Sequence, residues 1–172
     1  MAERVYVSDE GMRRLREQLD RASAVLKAIR DEKAIAYTAT GDTWHDNPYF
    51  NKLEQDEQAK IREIGEVQTL IASARMFTVP EVRNTERVQL GSIVRFRRVY
   101  QDTGEQQNEV WEIVGYGEID IEQHKVAYNS PLAQALIGLE PGDTRQTNTP
   151  KGQANYEIVE LYSSWEDVET NS

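Results

Sequence analysis

The sequence predicts an α+β protein, with an N-terminal antiparallel α-helical coiled-coil hairpin followed by a small antiparallel-sheet domain carrying one short helix. Three observations predict it. Apolar residues recur at alternating spacings of four and three up to about Arg75. After Pro80 the pattern changes to short runs of β-branched and aromatic residues separated by turn chemistry. The charge divides at the same place. The first 80 residues carry 12 Lys+Arg against 14 Asp+Glu, and the remainder 8 against 16.

The first helix is expected from Ser8 to about Thr40. Its seam is Leu15, Leu19, Ala22, Leu26, Ile29, Lys33 and Ala36, with Met12 one step back. Ser8-Asp9-Glu10 offers capping chemistry, while Gly11 weakens the first turn. Gly41 is a suitable stop, because glycine tolerates the left-handed conformation that ends many helices. The second helix is expected from about Pro48 to Arg75, with a seam of Leu53, Ile61, Ile64, Val67, Ile71 and Ala74. Glu57 occupies one seam position and makes that end less apolar. Two such helices joined by a short turn bury their seams against each other. At 1.5 Å per residue, an arm of about 30 residues is roughly 45 Å long.

The second half reads as strands SIVRFRRVY (92–100), VWEIVGY (110–116), KVAYNS (125–130) and YEIVELY (156–162). PLAQALIG (131–138) is the helical insert, opened by proline and closed by glycine. A sheet curled against that helix is the expected architecture. The expected divisions are 1–78 for the hairpin, with its tip at 41–49, then 79–162 for the sheet domain. An acidic, frayed tail is expected at 163–172. Arg95, Arg97 and Arg98 share one strand, as a solvated strand face or a docking patch.

Composition narrows the function classes. The net charge of −10 argues against autonomous, sequence-specific nucleic-acid binding, which needs a basic surface. With no cysteine, disulfides and thiolate metal sites are excluded. His45 and His124 have no zinc spacing. No apolar run approaches the roughly 18 residues of a membrane span, and the N-terminus lacks the apolar core of an export signal. The expectation is a cytoplasmic protein that meets nucleic acid through a protein partner.

VSDEGMRRLREQLD at the start, NSPLAQALIG at 129–138 and the run from GSIVRF to YEIVELY, in this order and spacing, resemble the bacterial Gre family of transcript cleavage factors. The resemblance extends from about Val5 to Tyr162. It implies a coiled-coil hairpin and an FK506-binding-protein-like (FKBP-like) C-terminal domain. It also implies bacterial RNA polymerase as partner, the C-terminal domain docking at the rim of the secondary channel and the hairpin reaching the active centre. There, tip carboxylates would complete the oxygen shell of a Mg²⁺ held jointly with the polymerase, so that the backtracked RNA 3′ end is hydrolysed. The factor would hold no cofactor of its own and would not be an enzyme alone.

The tip is TATGDTWHDNPYF, Thr38 to Phe50. The family pattern is an Asp, two residues, Glu-Asn, then a tyrosine. Asp42 matches the first carboxylate and Tyr49 the tyrosine. Without gaps, His45 takes the second carboxylate position and Asp46 that of the asparagine. A one-residue shift places Asp46-Asn47 there instead, and this is the preferred alignment. Asp42 and Asp46 are thus the candidate catalytic and metal-binding residues, and Trp44, His45, Asn47 and Tyr49 the candidate partner contacts. Each has a plainer reading beside it. Asp42 caps the turn or the second helix, and Asp46 or Asn47 caps that helix ahead of Pro48. His45 is a solvated turn residue, Trp44 packs against Tyr37, Tyr49 or Phe50, and Tyr49 and Phe50 pack near the tip. The alternative function is a Gre-like channel-binding regulator or inhibitor without cleavage activity. A stand-alone prolyl isomerase is a third reading, resting on fold alone.

Overall fold

A computed structural model describes residues 4–170, with the backbone but not the side chains of Asp42 and Trp44. The chain divides into two compact units, Met12–Arg75 forming most of one and Met76 onward, with Tyr6–Gly11, the other.

In the first unit, α1 (Asp9–Thr40) and α2 (Pro48–Ser73) are the two expected helices. The α1 seam is as predicted, and every position from Met12 through Ala36 is buried or half-buried. The α2 seam differs from the expected one. It runs Phe50, Leu53, Glu57, Lys60, Ile64, Val67, Ile71 and Ala74, and Ile61 lies outside it with 38% of its surface exposed. Spacing of four from Glu57 selects Ile61, but the supercoil keeps the three-four alternation and brings Lys60 inward. Lys60 is tolerated there because its aliphatic stem packs while its ammonium donates to Glu63 (2.6 Å).

Near the tip the seam is closed by ions. Glu57 accepts from Lys33 Nζ (2.8 Å) and Arg30 Nε (2.7 Å), and Lys33 Nζ lies 5.3 Å from the centre of the Phe50 ring. Hydrogen bonds from Lys33 and then Arg30 hold the Glu57 carboxyl below its ordinary range, and the same bond raises Lys33. A carboxylate whose pKa is lower folded than unfolded stabilises above the ordinary glutamate range of about 4.3. That contribution is lost as pH falls through the folded value. Glu57→Ala is therefore expected to destabilise the hairpin by about 1–3 kcal/mol at neutral pH, since Lys33 loses its main partner. Glu57→Gln should flatten the acid limb of a far-UV circular dichroism titration; an unchanged limb would refute the assignment.

The second unit contains a five-stranded sheet of β3 (Ile93–Tyr100), β4 (Gln106–Val114), β5 (Lys125–Ala127), β6 (Thr144–Thr149) and β7 (Gly152–Tyr162). Its order is β5-β4-β3-β7-β6. All pairs are antiparallel except β4–β5, so the sheet is mixed rather than purely antiparallel. The 115–124 connection causes this, returning β5 alongside β4 in the same direction instead of turning back as a hairpin. The edge strand β6 carries no apolar run for the sequence to show, because an edge needs no apolar face. β1 (Val5–Val7) and β2 (Ala74–Met76) form a separate two-stranded sheet.

The helix α3 (Pro131–Leu136) is the predicted insert. Ser130 Oγ caps it by accepting from Ala133 N (3.1 Å), and Gly138 follows with φ +87°. It covers a core containing Val94, Phe96, Ile113, Leu136, Tyr156 and Ile158. The arginines of β3 are engaged within the sheet. Arg97 pairs with Glu157, Arg98 with Glu109, and the Arg95 guanidinium lies 5.3 Å from the centre of the Tyr162 ring.

The C-terminal segment departs from the expected frayed tail. Trp165–Thr170 form a helix, α4, whose Val168 is buried with Ile93 and Tyr162. Few apolar residues suffice because a preformed apolar face of the sheet receives them.

Candidate functional site

The turn between the helices is built by local chemistry. At the end of α1, Thr40 Oγ1 donates to Ala36 O (2.8 Å), and Gly41 adopts φ +56°. Residues Gly41–Asp46 then form a 3₁₀ segment interrupted at Thr43 (φ −101°, ψ 16°), whose Oγ1 donates to Thr40 O (2.9 Å). Short 3₁₀ pieces are common where helices end.

Asn47 begins α2. Its Oδ1 accepts from Tyr49 N (3.0 Å), its backbone is extended, and Pro48 occupies the first helical position. Asn51 ties the turn to the helix, Nδ2 donating to His45 O (3.3 Å) and N donating to Asn47 O (3.1 Å). The capping alternative thus falls to Asn47, and Asp46 is left without that duty. Asn47→Ala should cost about 1 kcal/mol of hairpin stability by thermal denaturation. An unchanged melting curve would show that the cap is dispensable.

Asp46 presents its carboxylate to solvent, with 82% of the side chain exposed. His45 Nε2 lies 3.9 Å from Asp46 Oδ2, and its own side chain is 59% exposed. The side chains of Asp42 and Trp44 lie outside the described residues, and with them the distance between the Asp42 and Asp46 carboxylates. Tyr49 is 52% exposed and its hydroxyl donates to Glu32 Oε2 (2.9 Å). That bond holds the tyrosine in its neutral form and raises its pKa. Phe50 is a buried seam residue, with its ring 6.5 Å from that of Tyr37. The anchoring glutamate, Glu32, escaped sequence reasoning. It lies on α1, 17 residues from Tyr49 along the chain, and only the helix pairing joins them.

The donor chemistry at Asp46 fits a hard divalent cation, which takes oxygen ligands, better than the neighbouring imidazole does. One carboxylate supplies only part of such a shell. Among the described residues, no three His, Asp or Glu side chains group as a metal-ligand set.

The description "Transcription elongation factor, GreA/GreB, C-term" belongs to the family model that matches residues 83–163. The transcription elongation factor GreA of Yersinia pestis is 34% identical over 155 residues, covering 88% of this chain and 92% of that protein. This chain belongs to the GreA/GreB family. The GreA of Prosthecochloris aestuarii, another relative, is 28% identical over 94% of this chain and 99% of its own. A solved structure, that of Thermus aquaticus Gfh1, aligns over 94% of this chain and 99% of its own at 22% identity, with a TM-score of 0.42. As the sequence predicts, this GreA/GreB-family chain combines a helical hairpin with a sheet domain, and beside the expected short helix α3 that domain carries a second one, α4. None of its described helices is long and apolar enough to cross a membrane.

Proposed function

We propose that this chain binds bacterial RNA polymerase through the secondary channel and stimulates hydrolytic cleavage of backtracked RNA by the polymerase active site. The observation that carries this reading is the tip of a GreA/GreB-family hairpin, where the Asp46 carboxylate is exposed and free of capping duty. In this reading the chain is an accessory factor, and the polymerase remains the catalyst.

Asp42 and Asp46 offer carboxylate oxygens to a Mg²⁺ shared with the polymerase. When bound, such an ion lowers the pKa of water and stabilises charge on the phosphoryl oxygens. The neighbouring tip residues fix the backbone on either side of Asp46. Asn47 and Pro48 start α2 immediately after Asp46, and Asn51 fixes the carbonyl of His45. Tyr49 is held against α1 by Glu32, leaving much of its ring surface for contact with the partner.

The second reading is a channel-binding regulator without cleavage activity. His45 favours it, since in the ungapped alignment an imidazole, a poor ligand for Mg²⁺, stands at the second carboxylate position, 3.9 Å from Asp46 Oδ2. Purified cognate polymerase, stalled in a backtracked complex with labelled RNA, separates the two. Cleavage stimulation releases short RNA fragments and restores elongation. Binding that slows nucleotide addition, with no new fragments, would select the regulator instead.

A further inference from the structure

Between Phe77 and Ser92 the chain has no helix or strand. Irregular segments of this length inside a compact unit are uncommon, and their polar backbone groups need specific partners. Here the segment is tied together by one side chain, Arg83. Its Nε donates to Gly91 O (3.1 Å) and its Nη1 to Pro80 O (3.3 Å), so one guanidinium spans the segment. Its Nη2 donates to Glu112 Oε1 (2.8 Å), and its backbone N–H donates to Ser163 O (2.9 Å).

Glu112 is a carboxylate buried on β4. A buried carboxylate is tolerated only when its oxygens are satisfied. Arg83 takes Oε1, and the indole Nε1–H of Trp165 donates to Oε2 (2.9 Å). Trp165 is the first residue of α4, which is seated by Val168 against Ile93 and Tyr162. The helix lies beyond residue 163, where the family match ends. The cavity beside this relay, of about 540 Å³, is walled by Arg83, Glu112 and Trp165 together with Val79 and the 123–125 stretch.

We propose that α4 is a clasp. Through Trp165 and Glu112 it holds Arg83, and through Arg83 it holds the irregular segment that follows the hairpin in one conformation. Arg83 is then a positioning residue for this segment, and the C-terminal helix is its control point. The clasp does not depend on the proposed activity, so the two can fail separately.

Hydrogen–deuterium exchange on the full chain tests the clasp without polymerase. Trp165→Phe keeps an aromatic ring under α4 and removes the N–H. Amides of residues 81–91 are expected to exchange about tenfold faster, the change that follows from about 1.4 kcal/mol. Those of α2 and of β3 should stay protected. Arg83→Gln should give the same local change, and the double variant should add little to either single one, because both cut one relay. Unchanged exchange in 81–91 would overturn the proposal, as would additive effects. If Trp165→Phe loosens the whole sheet, Trp165 is a core residue and the clasp is likewise refuted.

Discussion

Replacing Asp42 and Asp46 together by alanine is expected to reduce cleavage stimulation by about two orders of magnitude, roughly 2.7 kcal/mol of transition-state stabilisation. Polymerase binding should change little. The tip has separable parts. α2 is started by Asn47 and Pro48, and the Asp46 carboxylate caps nothing, so its removal leaves the helix start intact. Far-UV circular dichroism of the double variant should overlay that of the parent. Cleavage is read from labelled RNA in backtracked complexes and binding from competition with the parent protein. Asp46→Asn keeps the shape and removes the charge, so a loss equal to that of Asp46→Ala would place the effect on the charge. His45→Ala tests the ungapped alignment, in which the imidazole occupies the second carboxylate position. Full stimulation by the double variant would remove both aspartates from the proposed chemistry.

Phe96→Ala is expected to cost the sheet unit about 3–5 kcal/mol, the range for truncating a buried aromatic residue. Phe96 has no exposed surface and sits on the central strand β3, between β4 and β7. Its ring lies 5.8 Å from that of Tyr156 at a tilt of 46°, among Ile113, Leu136 and Ile158. The neighbours are themselves held by strand pairing and by α3, which limits how far the cavity can collapse. Because the chain has two units, a single two-state free energy is the wrong quantity. Two of the three tryptophans, Trp111 and Trp165, lie in the sheet unit, so in a Trp44→Phe background fluorescence follows that unit, while the long helices dominate the far-UV signal. Chemical denaturation followed by fluorescence should shift to lower denaturant, while the helical signal keeps its own transition. Coincident shifts in both probes would show that the units unfold as one.

The hairpin was readable because a heptad seam is a local, repeated signal, and α1 keeps its predicted seam from Met12 to Ala36. The misplacement of Ile61 marks where that legibility stops. Spacing of three and spacing of four are both helical neighbours, and only the partner helix decides that Lys60 turns inward. At the tip, Asn47-Pro48 was legible as a helix start. The hydrogen bond from Tyr49 to Glu32 was not, since it joins two helices through packing alone.

In the sheet unit, the strong strands and α3 announced themselves through β-branched runs and the Ser-Pro to Gly frame. The polar edge strand β6, the parallel pairing of β5 and the helix α4 carried no such mark. Sequence by itself determined the two-part architecture, the helical arm, the capped turn and the placing of an aspartate, Asp46, just ahead of the second helix, because each is written in residues close together along the chain. Tertiary structure alone decided which face α2 buries, how Glu57 is neutralised, and why a short acidic tail is a helix over Ile93. Those depend on groups brought together from distant positions, and the free energy of such contacts exists only once the chain has folded.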